Sequence, residues 1–235
     1  MNSNYNLNQW HEDLWTVDTP FKFFGISFGN RMTVMRVGVD LILHSPVAYS
    51  EALANEISAL GEVRYLVSPN NFHHLHINGW RDTFPDAKVI GPQSQSKIKL
   101  DDSLTPELIG TLEQQCLEQI KIIEIQGMPK LNEYVFIHEP SQTLILTDLA
   151  FNIYEPLNVI SRFTFKAYGV YQTFGPTRLI HMLIKEPQAF QQSLEEINQT
   201  NFDRIIISHG KVIESGGKDI FNQAFAQYLG EELAV

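Results

Sequence analysis

Two stretches of short β-type segments, each handing over to amphipathic helices, set the strongest limit on what this chain of 235 residues folds into. In the first stretch, 14–17, 31–37 and 41–44 are rich in apolar and β-branched residues and are broken by Gly25, Gly29 and Gly38. That is the pattern of strands joined by tight turns in an antiparallel meander. Ser45, Pro46 and Ser50 then punctuate the chain, and 51–60 places Leu53, Ile57 and Leu60 on one helical face before Gly61 stops it. A short apolar strand at 63–67 runs into the loop VSPNNFHHLHINGW at 67–80, and an amphipathic stretch at 77–84 precedes a strand at 88–90. The second stretch has strands at 121–125, 134–138 and 143–147. Helices follow at 159–171, from 178 and at 187–198, then a buried strand at 204–207 and a closing helix at 220–229. Pro187 is acceptable in a first helical turn. No internal repeat, low-complexity tract or linker is visible. A sheet must bury its apolar face, so the expected fold is α/β: two mixed β-sheets face to face and flanked by helices, a four-layer αββα sandwich. One domain over 1–235 is expected.

Composition narrows the partners. A hydrophobic share of 43% with 19% charged residues is ordinary for a globular protein. No stretch approaches the roughly 18 to 20 apolar residues of a membrane span, so no membrane partner is expected. The amino terminus has neither a basic start nor an apolar run and does not read as a secretion signal, which predicts a cytoplasmic location. The formal net charge of −10 opposes long-range attraction to nucleic acid and favours a small-molecule substrate. The single cysteine, Cys116, excludes an internal disulfide and a thiolate cluster, so any metal must be held by imidazole and carboxylate.

Ligand-type side chains fall at strand ends. His73 and His74 follow the strand ending at Val67, Asp148 follows the strand ending at Thr147, and His209 follows the strand ending at Ile207. Taken singly, a histidine there is more often a capped or surface residue; the coincidence across three strands carries the inference. Imidazole and carboxylate suit one divalent metal ion, zinc, iron or manganese, with an open position for water.

The strand, histidine loop, helix and strand of 63–91, LILTDLAF at 144–151 and ISHG at 207–210 together resemble the metallo-β-lactamase fold superfamily. Its signature is His-x-His-x-Asp-His after a strand, a later His, an Asp in a turn and a final His-Gly. Laying that signature on Pro69 to His74 leaves fourteen positions from His74 to Lys88, room for the helix at about 1.5 Å per residue. The alternative, starting at His74, leaves too few. In this register the resemblance implies that Pro69, Asn71 and Met128 replace the ligands of the first metal site, which is lost. It also implies that the second site survives as His73, His74, Asp148 and His209, with His73 in place of an Asp. That exchange keeps a ligand but removes a negative charge and a proton acceptor.

The resemblance therefore implies a mononuclear metal-dependent hydrolase of a small ester, thioester, lactone or phosphoester, with Asp148 and His73 closest to the chemistry. Two alternatives stand beside it: a metal-free relic acting as a binding or scaffold protein, and a mononuclear iron oxygenase. His44, ending a strand in LILHSP, reads as bracing the site or as a core histidine. His76 turns towards the site or sits in the first turn of the next helix, and the helix is favoured. Asn70 and Asn71 hydrogen-bond the loop or contact substrate. His138 and His181 read as structural. From Asp148 to Arg178, the residues Asn152, Tyr154, Arg162, Lys166, Tyr168, Tyr171 and Arg178 are substrate-contact candidates, though such an aromatic series is more often core. FKAYGVYQTFG leaves a pocket wall, a lid and a homodimer contact open.

Overall fold

The protein is described by a computed structural model that covers residues 5–92, 107–116, 118–154 and 158–229. It divides into two compact units, residues 1–20 with 30–120, and residues 21–29 with 121–235. The one-domain expectation over 1–235 also takes in residues that lie outside those described.

The first unit contains β1 (Asn6–His11) and β2 (Leu14–Thr19); the short hairpin of β3 (Lys22–Phe23) and β4 (Ile26–Ser27) that follows belongs to the second. The first unit resumes with β5 (Asn30–Val37), β6 (Asp40–His44), α1 (Glu51–Ser58), β7 (Glu62–Val67), α2 (Ile77–Thr83), β8 (Lys88–Gly91), β9 (Glu107–Leu108) and α3 (Ile109–Glu113). Among the described residues its strands make a seven-stranded sheet in the order β1-β2-β5-β6-β7-β8-β9. β1, β2, β5 and β6 pair antiparallel, as the meander reading predicts, and β6 to β9 pair parallel. The change of sense follows from the connections, because α1 and α2 each carry the chain back to start the next strand at the same end. Ser50 accepts from the Leu53 amide at the α1 N-terminus, and Leu53, Ala54 and Ile57 turn inward. Burying a leucine or isoleucine side chain stabilises by about 1.5–3 kcal/mol. The three residues join Trp15, Met32, Leu43, Leu66 and Trp80 in an apolar cluster. The Trp80 indole satisfies its N–H by donating to the Val47 carbonyl at 2.7 Å.

The second unit contains β10 (Ile120–Glu124), β11 (Tyr134–His138), β12 (Thr143–Leu146), α4 (Val159–Tyr168), α5 (Arg178–Leu183), α6 (Pro187–Asn198), β13 (Arg204–Ile207) and α7 (Gly217–Leu229). Its sheet runs β10-β11-β12-β13 among the described residues, with β11 and β12 antiparallel and β12 and β13 parallel. TLIL and RIII are buried almost throughout, the near-continuous apolar character of parallel central strands. Ile123, Val135, Ile137, Leu144, Leu146, Ile205 and Ile207 of β10 to β13 pack with Phe190, Leu194, Phe221 and Phe225 of α6 and α7.

Several element ends differ from the sequence reading. The helix expected over 159–171 stops at Tyr168, because Gly169 takes a left-handed conformation, φ 80°, and its N–H closes back on Phe165 and Lys166. The helix expected over 220–229 begins at Gly217, where the Asp203 carboxylate and carbonyl accept from Gly216 and Gly217 at 2.7 Å each. β1, the β3–β4 hairpin, β9 and α3 lie in segments assigned no element from sequence. Among the described residues no helix is long and apolar enough to cross a membrane.

Candidate metal centre

The candidate ligands lie just beyond the ends of parallel strands, the usual place for chemistry in such sheets. In the first unit the register sets His44 of β6 beside Val67 of β7, and the Ser45 N–H donates to the Val67 carbonyl at 2.9 Å. That pairing starts the histidine loop beside the end of β6. The loop is then closed by Asn70, wholly buried, whose Oδ1 accepts from the amides of Phe72 at 2.8 Å and His73 at 3.0 Å. Ser68 Oγ donates to the Asn70 carbonyl at 2.9 Å. Of the two roles open to Asn70, the loop role is the one seen, an Asn side chain replacing a backbone turn.

His73 leaves this turn with Nδ1 2.6 Å from Ser45 Oγ. Ser45 is 1% exposed and has φ 56°, an uncommon conformation for serine, which sets its hydroxyl against the ring. His44 is buried, and desolvation, aided by the nearby His73, pushes its pKa down to about 3, so it stays neutral. His74 is half-buried; burial lowers its pKa, against an opposing hydrogen bond to the Asn71 backbone. His76 occupies the N-cap position of α2 without making a side-chain cap, so it stands at the helix boundary rather than in the first turn. Burial and the neighbouring His73 lower its pKa as well.

In the second unit Leu146 pairs with Ile207, and the Ser208 N–H donates to the Leu146 carbonyl at 3.2 Å, which brings the residues after both strands side by side. His209 Nε2 accordingly lies 3.4 Å from Asp148 Oδ1. The Asp148 turn is held by a residue that sequence reasoning missed. Glu133 is fully buried, and its carboxylate accepts from the amides of Thr147 at 2.8 Å, Asp148 at 2.9 Å and Leu149 at 3.0 Å. Three such bonds fix the loop that carries Asp148. His209, 6% exposed, lies between the rings of Phe28 and Phe151, with centroids at 5.3 and 5.1 Å. Its Nδ1 is 2.9 Å from the Gly29 carbonyl, an acceptor only, so Nδ1 carries the proton. Were the ring neutral, its Nε2 lone pair would face a carboxylate oxygen. Two acceptors so placed repel unless a proton or a cation lies between them, and a metal ion is the charge that this donor set suits.

Several other candidates have partners within the fold. Met128 lies in the apolar cluster of the second unit. Asn152 is buried and donates to the Lys211 carbonyl at 2.8 Å. Lys211 and Lys166 lie over the Tyr154 and Tyr171 rings at 5.4 and 5.5 Å. His138 Nδ1 meets Ser141 Oγ at 2.7 Å, and His181 meets the Tyr228 hydroxyl. At the β1–β2 turn His11, Glu12 and Asp13 bring donor atoms within 4.8 Å of one another. There Asp13 is engaged by the Arg36 guanidinium at 2.7 Å, so that group reads as an ion pair.

Two mixed sheets with flanking helices, a histidine loop after one parallel strand and an Asp and a His after two others define a metallo-β-lactamase fold. Solved structures share this fold. The metallo-β-lactamase FIM-1 from Pseudomonas aeruginosa in the mono-zinc form is 12% identical, with a TM-score of 0.64 and 96% of each chain covered. A metallo-β-lactamase from Erythrobacter litoralis is 12% identical, with a TM-score of 0.59, covering 97% of this chain and 92% of that one. The Flv1 flavodiiron core from Synechocystis sp. PCC6803 is 10% identical, with a TM-score of 0.65, covering 98% of this chain and 62% of that one. Within this fold the chain belongs to the family described as a domain of unknown function (DUF4336), which matches residues 11–174. No curated protein matches it.

Proposed function

We propose that this protein is a hydrolase of a small ester, thioester, lactone or phosphoester, with one divalent metal ion held by His73, His74, Asp148 and His209. The observation that carries this reading is the Asp148–His209 pair, in which the Gly29 carbonyl fixes the Nδ1 proton and leaves Nε2 facing the carboxylate at 3.4 Å. His73 supports it, since Ser45 lies at Nδ1 and leaves Nε2 as the ligand atom. A bound divalent ion supplies a Lewis acid for a carbonyl or phosphoryl oxygen and acidifies water. Asp148 is the one carboxylate of the set, so orienting water and accepting its proton falls to it. In the register that the resemblance implies, His73 replaces the superfamily's Asp, and an imidazole there would offer a neutral donor instead. Phe28 and Phe151 hold the His209 ring and keep water from its faces.

A second reading, a mononuclear iron oxygenase, draws on the likeness to the flavodiiron core and on a His and Asp donor set with open positions. A third keeps the fold without metal, as a binding or scaffold protein, with His209 protonated and ion-paired to Asp148. Elemental analysis of protein purified without chelator, beside His74→Ala and His209→Ala, separates the third from the others. About one zinc, iron or manganese per chain is expected in the parent and loss in both variants. Near-zero metal in all three proteins sinks both metal readings. With metal present, thioesters, lactones and phosphodiesters assayed beside an oxygen electrode distinguish hydrolysis from dioxygen uptake.

A further inference from the structure

Helix α4 is built inside out. Its inward residues are Ser161 and Phe165, while Val159 is 80% exposed, Ile160 64% and Phe163 75%. At about 100° per residue Val159, Phe163 and Ala167 form one stripe, with Ile160 at its edge, on the side opposite Ser161 and Phe165. An amphipathic surface helix ordinarily turns that stripe to the core. The β3–β4 hairpin adds Phe24, 88% exposed at φ 47°. Its tip is tied to the first turn of α4, since Asn158 Nδ2 donates to the Gly25 carbonyl at 3.4 Å and the Ser27 N–H donates to Ser161 Oγ at 2.9 Å. The outward position of Phe24 is thus fixed by the fold.

Charge is segregated along the same segment. Residues 158–185 hold four of the chain's 17 Lys and Arg and none of its 27 Asp and Glu. These four, Arg162, Lys166, Arg178 and Lys185, are all exposed. Arg178 comes to the α4 C-terminus, its Nε about 4 Å from where a β-carbon on Gly169 would stand. A protruding apolar stripe beside cations, in a protein of net charge −10, fits a surface that is anionic and has an apolar interior within reach. A second copy docked through this face about a two-fold axis that sets the two α4 helices antiparallel would bring the Arg162 and Lys166 edges of both copies together. Nucleic acid would use the cations but leave the stripe wet.

We propose that the α4 face, with Phe24 of the β3–β4 hairpin, binds the surface of a bilayer containing anionic lipids. Phe24, Val159, Ile160 and Phe163 enter the headgroup–acyl boundary while Arg162 and Lys166 meet lipid phosphates. The sequence expectation of no membrane partner rests on the absence of a spanning segment, and a helix lying in the interface needs none.

The test is flotation of the full-length chain with vesicles of phosphatidylcholine alone and of phosphatidylcholine with about one quarter phosphatidylserine. Binding to the anionic vesicles is expected, weakening as salt rises and the Debye length shortens. Each lost cation is worth about fivefold, so R162Q with K166Q should weaken binding roughly 25-fold. Phe163→Ser should weaken it by about tenfold while leaving the circular dichroism spectrum and Tm unchanged, its side chain being exposed. Failure to float with anionic vesicles at low salt overturns the proposal, as does binding that neither variant alters. A dimer in sedimentation velocity that Phe163→Ser dissolves, without vesicle binding, also overturns it and assigns the face to a second copy.

Discussion

At the scale of single residues, the candidate centre is held by groups that are not themselves ligands. Glu133 and Ser45 are two of these, and both look ordinary in the sequence. Glu133 precedes a β-type run as a solvated charge would, and Ser45 reads as turn punctuation. Their roles depend on burial and on backbone amides that no side-chain pattern records. Replacing Glu133 by Gln puts an amide N–H₂ where a carboxylate oxygen accepts from backbone N–H groups. A loss of about 2–3 kcal/mol is expected in urea denaturation at pH 7. A midpoint equal to the parent's would show that the three bonds are dispensable. His44 gives a pH dependence with a definite sign. Its folded pKa, about 3, lies below the ordinary 6.5, so the unfolded chain takes up the proton first as pH falls. The neutral folded state is therefore undisturbed above about 6.5 and loses stability from there down to about 3. Between pH 7 and 5 this group alone should cost about 2 kcal/mol. The parent should lose that much more than His44→Gln over the same interval, and parallel curves for the two would remove His44 as the cause.

At the scale of elements, legibility followed patterning. β5, β6 and β7 were readable because apolar and β-branched runs stop at Gly, Pro or Ser, and α1 and α6 because their apolar residues recur at helical spacing. β1 was not: NLNQWH is mostly polar, and it forms an edge strand through backbone pairing with β2, which asks little of its side chains. β9 and α3 are short and owe their form to tertiary contacts. The ISHG run supplies a candidate ligand, and its glycine does more than end a strand. Gly210 has φ 110°, and a β-carbon there would stand 2.1 Å from the Asn152 carbonyl oxygen. The close approach lets the Asn152 N–H donate to the His209 carbonyl at 3.2 Å and the Lys211 N–H donate to Asn152 at 2.9 Å, locking the turn that aims the ring. Gly210→Ala is expected to destabilise by about 2–4 kcal/mol, read as a lower Tm. Its metal content should fall with it, whereas a folded variant with full metal would mean that the turn tolerates displacement of His209.

At the scale of the whole molecule, the proposed ligands are divided, His73 and His74 in the first compact unit and Asp148 and His209 in the second. The arrangement of strands and helices was readable because each stretch carries its own periodicity, and the candidate ligands stood out because each follows a strand. Of the supporting contacts, the loop role of Asn70 is one of the two that the sequence suggests, whereas Glu133 was hidden because its carboxylate binds backbone amides. This division makes a sharp expectation about stability. An ion that binds only the folded chain raises its stability by RT ln(1 + [L]/Kd), about 2.7 kcal/mol at a hundredfold excess over Kd. For a protein of this size that corresponds to a Tm increase of about 5–10 °C. Zinc or manganese added to chelator-treated protein should produce it, and His74→Ala and His209→Ala should abolish it equally although they lie in different units. A shift lost in His209→Ala but kept in His74→Ala would confine the ion to the Asp148–His209 pair and remove the histidine loop from the ligand set.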